Sequence, residues 1–408
     1  MGRVMKNILV DQLRQVPLEQ QRVEICERKG LGHPDTICDS IMNEVSVSLS
    51  HEYMRRFGTV MHHNIDKSLL VAGEVEHRFG GGSVKKPMLL VFGDRATFEV
   101  GGEKIPVNEI AITTAKDWFR RNLRFVEPDE NIHYQVELKR GSAELTDIFA
   151  RGGEFLGAND TSAAVGFAPM TQTEATVLET ERFMNSKQFK KEFPETGEDI
   201  KVMGMRRDRA LDLTIALAFV DRFIESENDY FRRKQEVQDR VVEFAKSKVN
   251  MDSVNVYINT LDVPGRGMGG IYLTVLGTSA DDADCGQVGR GNRVNGIIPL
   301  NRPTSSEAAA GKNPTSHVGK IYNLLTYRMA TRIYEDVSGL KEAYVWLLSQ
   351  IGVPVNQPKI AAAQLVLQPG IELKSIQQDV QEVMESELDD GHMKRFITSL
   401  ITGRTPVA

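Results

Sequence analysis

The chain has 408 residues and a net charge of −6, which favours two or three domains and argues against a general nucleic-acid binder, whose surface is usually basic. With 41% hydrophobic and 26% charged residues and no apolar run of about 18 residues, the composition is that of a folded protein without a membrane span. The first residues do not read as a secretory signal, and the three cysteines have no CxxC spacing, so we expect reduced thiols and a cytoplasmic location.

Apolar periodicity predicts the main elements in chain order. Residues 36–57 carry apolar side chains at helical spacing, which predicts a helix, and Asp35 is placed to cap it. Strict alternation over 211–219 predicts a half-buried strand, and the apolar stripe of 227–248 predicts another helix. Two further strands are indicated by Val254, Val256 and Ile258 and by Ile271, Leu273 and Val275. Helices and strands without a regular βαβ rhythm predict the α+β class, with sheets covered by helices on one face.

Two nucleotide-binding patterns are excluded. The segment PGRGMGG, residues 264–270, contains the letters GxGxxG, but a strand follows it where a dinucleotide fingerprint needs a helix. We therefore predict a flexible hairpin loop there. No GxxxxGK[ST] occurs in the sequence, so any nucleotide phosphates must be held in another way.

The segment ERKGLGHPDTICDS, residues 27–40, is the first candidate site. Gly30 and Gly32 permit close backbone approach, and Pro34 leads into the predicted helix. His33 and Asp35 then lie at a helix N-terminus, where free amides favour anions; the histidine can donate to a phosphate oxygen and the aspartate can hold Mg²⁺. The same pattern is also typical of a tight turn with a capping aspartate and a surface histidine.

Three shorter segments are further candidates, each with a simpler structural explanation. Glu74 follows an apolar run and could bind an ammonium or a metal, or it could be an ordinary loop glutamate. Asp160 lies in the small-residue segment GANDTSAAVGFAP, which could wrap a ligand or only serve packing. A Gly-Ser turn that enters a helix offers amides and a hydroxyl to a nucleotide, or is a plain capped helix start. This turn makes candidate ATP ligands of Lys139, Arg140, Gly141, Ser142, Ala143 and Glu144.

The stretch of residues 277–320 is the most informative. Three aspartates, among them Asp284, precede glycines that alternate with Arg290 and Arg293, and Lys312, His317 and Lys320 follow. Arginine grips phosphate oxygens in bidentate fashion and lysine adds a point charge, so these loops suit a polyphosphate. Loops of this length without structure of their own are uncommon unless they are functional, which favours a binding role over a solvated surface.

With GLGHPD, GANDTS and GRGNRVNG…AAAGKNPTSHVGK considered together, the chain resembles the archaeal branch of the S-adenosylmethionine synthetases over nearly its whole length. The resemblance implies three similar α+β domains about a pseudo-threefold axis, roughly 1–138, 139–268 and 269–408, which need not be continuous. It also implies ATP and L-methionine as substrates, Mg²⁺ and K⁺ as cofactors, and a homodimer or tetramer with active sites at the subunit interface.

The resemblance implies roles for single residues. His33, Arg290 and Lys312 would be catalytic groups on the leaving triphosphate, and Asp35 would be associated with Mg²⁺. Further phosphate ligands would be Arg293 and Lys320, and residues facing methionine or the nucleoside would be Glu74, Asp160 and Asp284.

The sequence departs from the bacterial pattern at several positions. Thr36 stands where bacterial GHPDK has lysine, and Gly291 stands where a lysine follows the arginine, with Arg293 as its replacement. The bacterial KVDR reads His317, Val318, Gly319 and Lys320, so a second metal-binding aspartate is missing. Asp66 is our expectation for the K⁺ site.

Two alternative functions remain to be separated by experiment. A non-catalytic subunit of the same fold would bind metabolites only, although His33, Asp35, Lys312 and Arg290 are all present. Another ATP-dependent ligase or kinase would yield ADP, or AMP and pyrophosphate, and no sulfonium compound.

Overall fold

The structure is a computed structural model that describes residues 7–141, 149 and 153–407. The strands are β1 Ile8–Gln12, β2 Val23–Lys29, β3 His63–Asn64, β4 Leu69–Val71, β5 Glu74–Glu76, β6 Ser83–Lys86, β7 Met88–Ala96, β8 Glu99–Val100, β9 Glu103–Lys104, β10 Ile132–Arg140, β11 Ala163–Ala168, β12 Thr196–Arg207, β13 Ala210–Val220, β14 Ser253–Ile258, β15 Leu273–Thr274, β16 Gly286–Gln287, β17 Ile298–Pro299, β18 Leu340–Leu348 and β19 Ile360–Leu367. The helices are α1 Pro34–Phe57, α2 Val107–Asn122, α3 Gln172–Met184, α4 Lys187–Glu192, α5 Glu227–Lys248, α6 Val318–Asp336, α7 Leu373–Glu387 and α8 Asp390–Ile401.

Three larger sheets share one strand pattern. Their central strand orders are β10-β7-β4-β16, β14-β13-β12-β2 and β1-β19-β18-β11. In each sheet the middle two strands are antiparallel, one outer strand runs parallel to its neighbour, and the other outer strand runs antiparallel. A helix precedes each middle pair and another follows it. The expected α+β class, with three similar units and mixed sheets, is confirmed.

Helices cover one face of each sheet, as the alternating sequence pattern requires. In the β12–β13 unit, Val177 of α3 and Val237 of α5 belong to one buried cluster with Leu211 and Leu213 of β13. Thr214, between the inward positions, is exposed. The strand predicted at 211–219 and the helix predicted at 227–248 are both confirmed.

The units are interleaved along the chain. β1, near the N-terminus, pairs with β19, and β2 joins β12 in the central unit. β16 of the long C-terminal stretch joins β4 of the first unit. The ranges 1–138, 139–268 and 269–408 therefore remain a proposal for where each unit is centred, and each sheet recruits strands from outside its range.

Two local predictions are wrong. Asp35 does not cap α1, because His33 is the N-cap residue and its side chain accepts the Asp35 backbone amide. The segment 264–270 is not a hairpin loop, because β14 and β15 both run parallel to β13 and pair with it. Local sequence could not show that both flanking strands pair one after the other along the same edge of β13.

No helix in the described part of the chain is long and apolar enough to cross a membrane. Cys26, Cys38 and Cys285 are all free thiols, and the first two are buried.

Candidate active site

The turn before α1 is fixed against the central sheet by glycine backbone. Gly30 donates to the Ile200 carbonyl at 2.7 Å and Gly32 donates to the Glu198 carbonyl at 2.9 Å. A Cβ on Gly32 would lie 2.5 Å from the backbone nitrogen of Asp199, so only glycine fits there. This close approach places the next residue, His33, at the start of α1.

His33 is a buried, neutral hydrogen-bond donor. Its Nδ1 accepts the Asp35 amide at 3.2 Å, so in the neutral ring the proton is on Nε2. Burial lowers its pKa to about 4, with Lys29 adding to the effect and Asp35 opposing it. The surface-histidine interpretation is therefore wrong. Nε2 lies 3.9 Å from Asp284 Oδ2, which is beyond hydrogen-bond distance, so that carboxylate does not accept the Nε2 proton.

Asp35 joins this turn to the loop of residues 284–293. Its Oδ1 accepts the Gln287 amide at 2.9 Å, and its Oδ2 accepts from Lys29 Nζ at 2.8 Å. Lys29 also donates to the Arg290 carbonyl at 2.7 Å. These contacts bring Asp35 and Arg290 to one side of the His33 turn, and Asp284 lies 3.9 Å from His33 Nε2. Lys29 was not predicted as part of this group.

The loop of residues 284–293 presents one free arginine and one that folds back. Arg290 is exposed, and Asp284 is 56% exposed at its side chain. Arg293 Nη2 donates to the carbonyl oxygens of Gly289 at 3.2 Å and Gly291 at 3.1 Å. Arg293 Nε is buried without a partner among the described residues, so it is available to an anion.

A narrow open cleft lies beside this loop. Its walls are formed by Asp39, Gly289, Asn292, Arg293, Val294, Ser305, Glu307, Ala308, Ala309, Ala310, Asn323, Tyr327 and Val407. Small apolar side chains on one wall and Arg293 on another suit a ligand with a flat apolar part and an anionic part.

A second basic group lies at the start of α6. Lys312 is 1% exposed; it contacts Glu307, and its Nζ lies 3.5 Å from Asp66 Oδ2. Lys320 is equally buried but has no carboxylate partner among the described residues, and burial, followed by the charge of Lys312, lowers its pKa to about 7. His317 caps α6 as His33 caps α1, and burial lowers its pKa to about 3.

One face of α1 connects the His33 turn to the two lysines, Lys312 and Lys320, at the start of α6. Asp35, Asp39, Asn43 and Ser46 are spaced by four, four and three residues, so they share a side of the helix over about 16 Å. Lys320 Nζ donates to Asn43 Oδ1 at 2.9 Å, and Ser46 Oγ donates to the Lys312 carbonyl at 2.9 Å. This spacing within the predicted helix was the sequence signal for Asp39 and Asn43, which our sequence analysis missed.

Glu74 lies near the His33 turn and Asp160 lies near the start of α6, but neither side chain contacts the residues described above. The Gly73 amide donates to the Ala280 carbonyl at 2.9 Å, so the Glu74 segment borders the loop that carries Asp284. Glu74 itself is largely exposed and pairs with Lys86 at 3.1 Å. Asp160 is exposed. Asn159, its neighbour, accepts the Val318 amide through Oδ1 at 3.1 Å, which places this segment at the start of α6.

Lys139 and Arg140 are not brought to the His33 turn by any contact in the described part of the chain. Both are exposed at the end of β10, where they pair with Glu137 at 3.0 Å and Glu99 at 3.4 Å. Gly141 is described and partly buried. Ser142, Ala143 and Glu144 lie outside the described residues, so their assignment to ATP stays a prediction.

The structure gives physical reasons for two departures from the bacterial pattern. A Cβ at Gly291 would lie 2.3 Å from Asp39 Oδ2, so a lysine there would collide with a buried carboxylate. A Cβ at Gly319 would lie 2.8 Å from Lys312 Nζ and 3.1 Å from Glu307 Oε2, so the Lys312–Glu307 pair occupies the space where a side chain at this position would project.

Asp66 is already surrounded by donors. Its carboxylate accepts from Asn64 at 2.9 Å and from Lys67 at 2.6 Å, and Lys312 lies at 3.5 Å. These contacts give no support to a K⁺ ion at Asp66, and the K⁺ site stays a prediction without assigned ligands.

Comparisons with known proteins give one answer. The family model described as S-adenosylmethionine synthetase (AdoMet synthetase) matches residues 6–404. The S-adenosylmethionine synthase of Methanothermobacter thermautotrophicus is 46% identical over 386 residues, which cover 95% of this chain and 96% of the relative. That of Pyrococcus furiosus is 45% identical over 385 residues, covering 94% and 95%. Among solved structures, an unusual S-adenosylmethionine synthetase from Campylobacter jejuni matches with a TM-score of 0.61 at 15% identity over 94% of each chain, which shows the fold alone.

Proposed function

Because the chain belongs to the S-adenosylmethionine synthetase family, we propose that it is a methionine adenosyltransferase, which converts ATP, L-methionine and water to S-adenosylmethionine, phosphate and diphosphate. The observation that carries this proposal is the buried, neutral His33, whose Nε2 donor lies between an aspartate pair and beside the arginine-bearing loop. A donor fixed in this way suits a leaving group that gains negative charge.

The methionine sulfur attacks C5′ of ATP in one displacement. The new S–C5′ bond takes its electron pair from sulfur, and the C5′–O electron pair leaves with the triphosphate. A thioether carries no proton, so the first step needs no general base. The chain therefore has to neutralise the leaving group and hold the two substrates in line.

Different residues neutralise the leaving group and hold the substrates. His33 donates from Nε2 to the triphosphate, and Arg290, Arg293, Lys312 and Lys320 supply positive charge to its oxygens. Asp284, Glu74 and Asp160 face the methionine and nucleoside side, where carboxylates suit the methionine ammonium. The triphosphate is then hydrolysed in place.

Asp35 is the carboxylate that would hold Mg²⁺ beside His33, since carboxylate oxygens are ligands that Mg²⁺ prefers. In this structure its Oδ1 accepts the Gln287 amide at 2.9 Å and its Oδ2 accepts from Lys29 Nζ at 2.8 Å, so a bound ion would compete with Lys29 for Oδ2. Among the described residues, no group of three His, Cys, Asp or Glu side chains could hold a metal ion. When bound at Asp35, Mg²⁺ would neutralise phosphate charge. K⁺ is proposed from the family resemblance alone.

The chain is also proposed to work as a homodimer in the cytoplasm, with residues of both subunits in each site. Val23, Leu69 and Tyr257, on strands of two different sheets, are 43%, 37% and 43% exposed, and a partner subunit would bury them. The three free thiols support a reducing compartment. A fully active monomer at assay concentration, seen by light scattering, would contradict the dimer.

The experiment that tests the activity is incubation of the purified protein with ATP, L-methionine and Mg²⁺, followed by mass detection of the products. We expect S-adenosylmethionine with equimolar phosphate and diphosphate, and no product when methionine is omitted. ADP or AMP as the main nucleotide product would identify a kinase or ligase. Binding without turnover would identify a non-catalytic subunit.

A further inference from the structure

Asp39 is a buried carboxylate that the reaction scheme does not use. It lies one helical turn after Asp35 and is 4% exposed. Its Oδ1 accepts the Gly289 amide at 2.8 Å, and the backbone of Gly291 passes so close that a Cβ there would lie 2.3 Å from Oδ2. Both glycines that flank Arg290 therefore contact this one carboxylate.

The same three-residue turn is held from its other side. Lys29 donates to the Arg290 carbonyl at 2.7 Å, and Arg293 Nη2 reaches the carbonyl oxygens of Gly289 and Gly291 at 3.2 and 3.1 Å. Gly289 adopts a φ of +85°, a conformation that side chains rarely take. The turn is thus fixed by its amides, its carbonyls and its backbone conformation, while the Arg290 side chain is left exposed.

The geometry points to Asp39 as a positioning residue: its carboxylate holds the turn of residues 289–291 so that Arg290 meets the leaving triphosphate, an inference that rests on the proposed function. Asp39 acts on Arg290 through the turn whose backbone it contacts. A shift of about 1 Å in a catalytic group can cost about 100-fold in rate. The contacts that fix the turn therefore determine how closely the Arg290 guanidinium approaches the triphosphate.

Keeping this carboxylate buried is costly, which distinguishes it from a simple packing residue. Burial raises the pKa of Asp39 to about 7, and the Gly289 amide, the charge of Arg293 and the Gly291 amide oppose that rise. An apolar residue at this position of α1 would pack against the turn of residues 289–291 without this cost. A carboxylate instead provides two acceptors for the adjacent glycine amides, and strongly perturbed carboxyl groups concentrate at functional sites.

The test is a double-mutant cycle on the full-length protein with inorganic tripolyphosphate as the ligand, measured by calorimetry beside steady-state synthesis. We expect Asp39→Ala to weaken tripolyphosphate binding by about tenfold and to lower kcat by about tenfold to 100-fold, with the KM for methionine unchanged. Asp39→Asn keeps the shape and one acceptor, and we expect an intermediate loss. Because Asp39 acts through Arg290, the double variant should bind tripolyphosphate no more weakly than Arg290→Ala alone.

Glu44→Gln, which removes a carboxylate that pairs with Arg121 elsewhere on α1, is the matched control and should behave as the wild type. Losses that add in the double variant, or a folded Asp39→Ala with unchanged binding and kcat, would overturn the positioning role. A wild-type protein that neither forms S-adenosylmethionine nor binds tripolyphosphate would overturn the proposed function, and this inference with it.

Discussion

Replacing His33 by alanine removes two contacts at once, and the structure shows how to separate them. The ring accepts the Asp35 amide through Nδ1 as the N-cap of α1, and it presents Nε2–H to the site. Losing the cap costs about 1 kcal/mol of stability. Losing one donor to a developing oxyanion costs about 10²- to 10³-fold in rate, or about 2.7–4 kcal/mol. Because the side chain is buried, we expect His33→Ala to lower both the melting temperature and the single-turnover rate.

His33→Asn is the matched variant. Asparagine is among the best N-cap residues, so its side chain should accept the Asp35 amide and restore most of the melting temperature. It cannot reproduce the Nε2–H donor, so the single-turnover rate should stay about 10²- to 10³-fold below the wild type. The assay is rapid-quench formation of S-adenosylmethionine beside thermal unfolding. Wild-type rates in a folded His33→Asn variant would refute the donor role and leave His33 as a helix cap.

Three further outcomes follow from buried groups. Lys320, with its pKa lowered to about 7, is mostly neutral at pH 8, so the protein should take up a proton at Lys320 when it binds tripolyphosphate at that pH. Calorimetry in buffers of different ionisation enthalpy measures this uptake. An uptake that persists in Lys320→Gln would contradict the assignment. His63 has its pKa lowered by burial to about 3 from 6.5, so between these pH values its unfolded form binds a proton that the folded form does not. The melting temperature of the wild type relative to His63→Gln should therefore fall as the pH drops from 6.5 towards 4, and a difference that stays constant with pH would exclude this linkage. Gly32→Ala should lower the free energy of unfolding by about 1–3 kcal/mol, because its Cβ would lie 2.5 Å from the Asp199 nitrogen. An unchanged melting temperature would show that the turn can relax.

Sequence patterns predict the parts of this fold that depend on neighbours along the chain. The helix of 227–248 and the strand around 211–219 have the predicted positions because their apolar periodicity records which face is buried. The pairing of β1 with β19 and of β16 with β4 joins distant segments, and no local pattern encodes it. The hairpin expected at 264–270 failed for the same reason, since β13 lies beside both flanking strands.

In the candidate site, too, the residues that a local pattern marks could be predicted, and those whose roles depend on the fold could not. His33, Asp35 and Arg290 could be predicted because glycines and proline mark a turn at a helix start and a loop suited to phosphate. Lys29 and Glu307 could not be assigned, because their roles depend on contacts with Asp35 and Lys312 that only the folded chain creates. Glu307 lies only five residues from Lys312, yet nothing in that spacing indicates that its carboxylate fills the space beside Gly319.

The displacement at C5′ is tested most directly by ATP that carries ¹⁸O at the oxygen bridging C5′ and the α-phosphorus. If the methionine sulfur displaces triphosphate at carbon, the C5′–O bond breaks, and all of the label should appear in the inorganic phosphate and diphosphate, with S-adenosylmethionine as the other product. Label retained on AMP or ADP would mean that a P–O bond had broken, and would contradict this reaction.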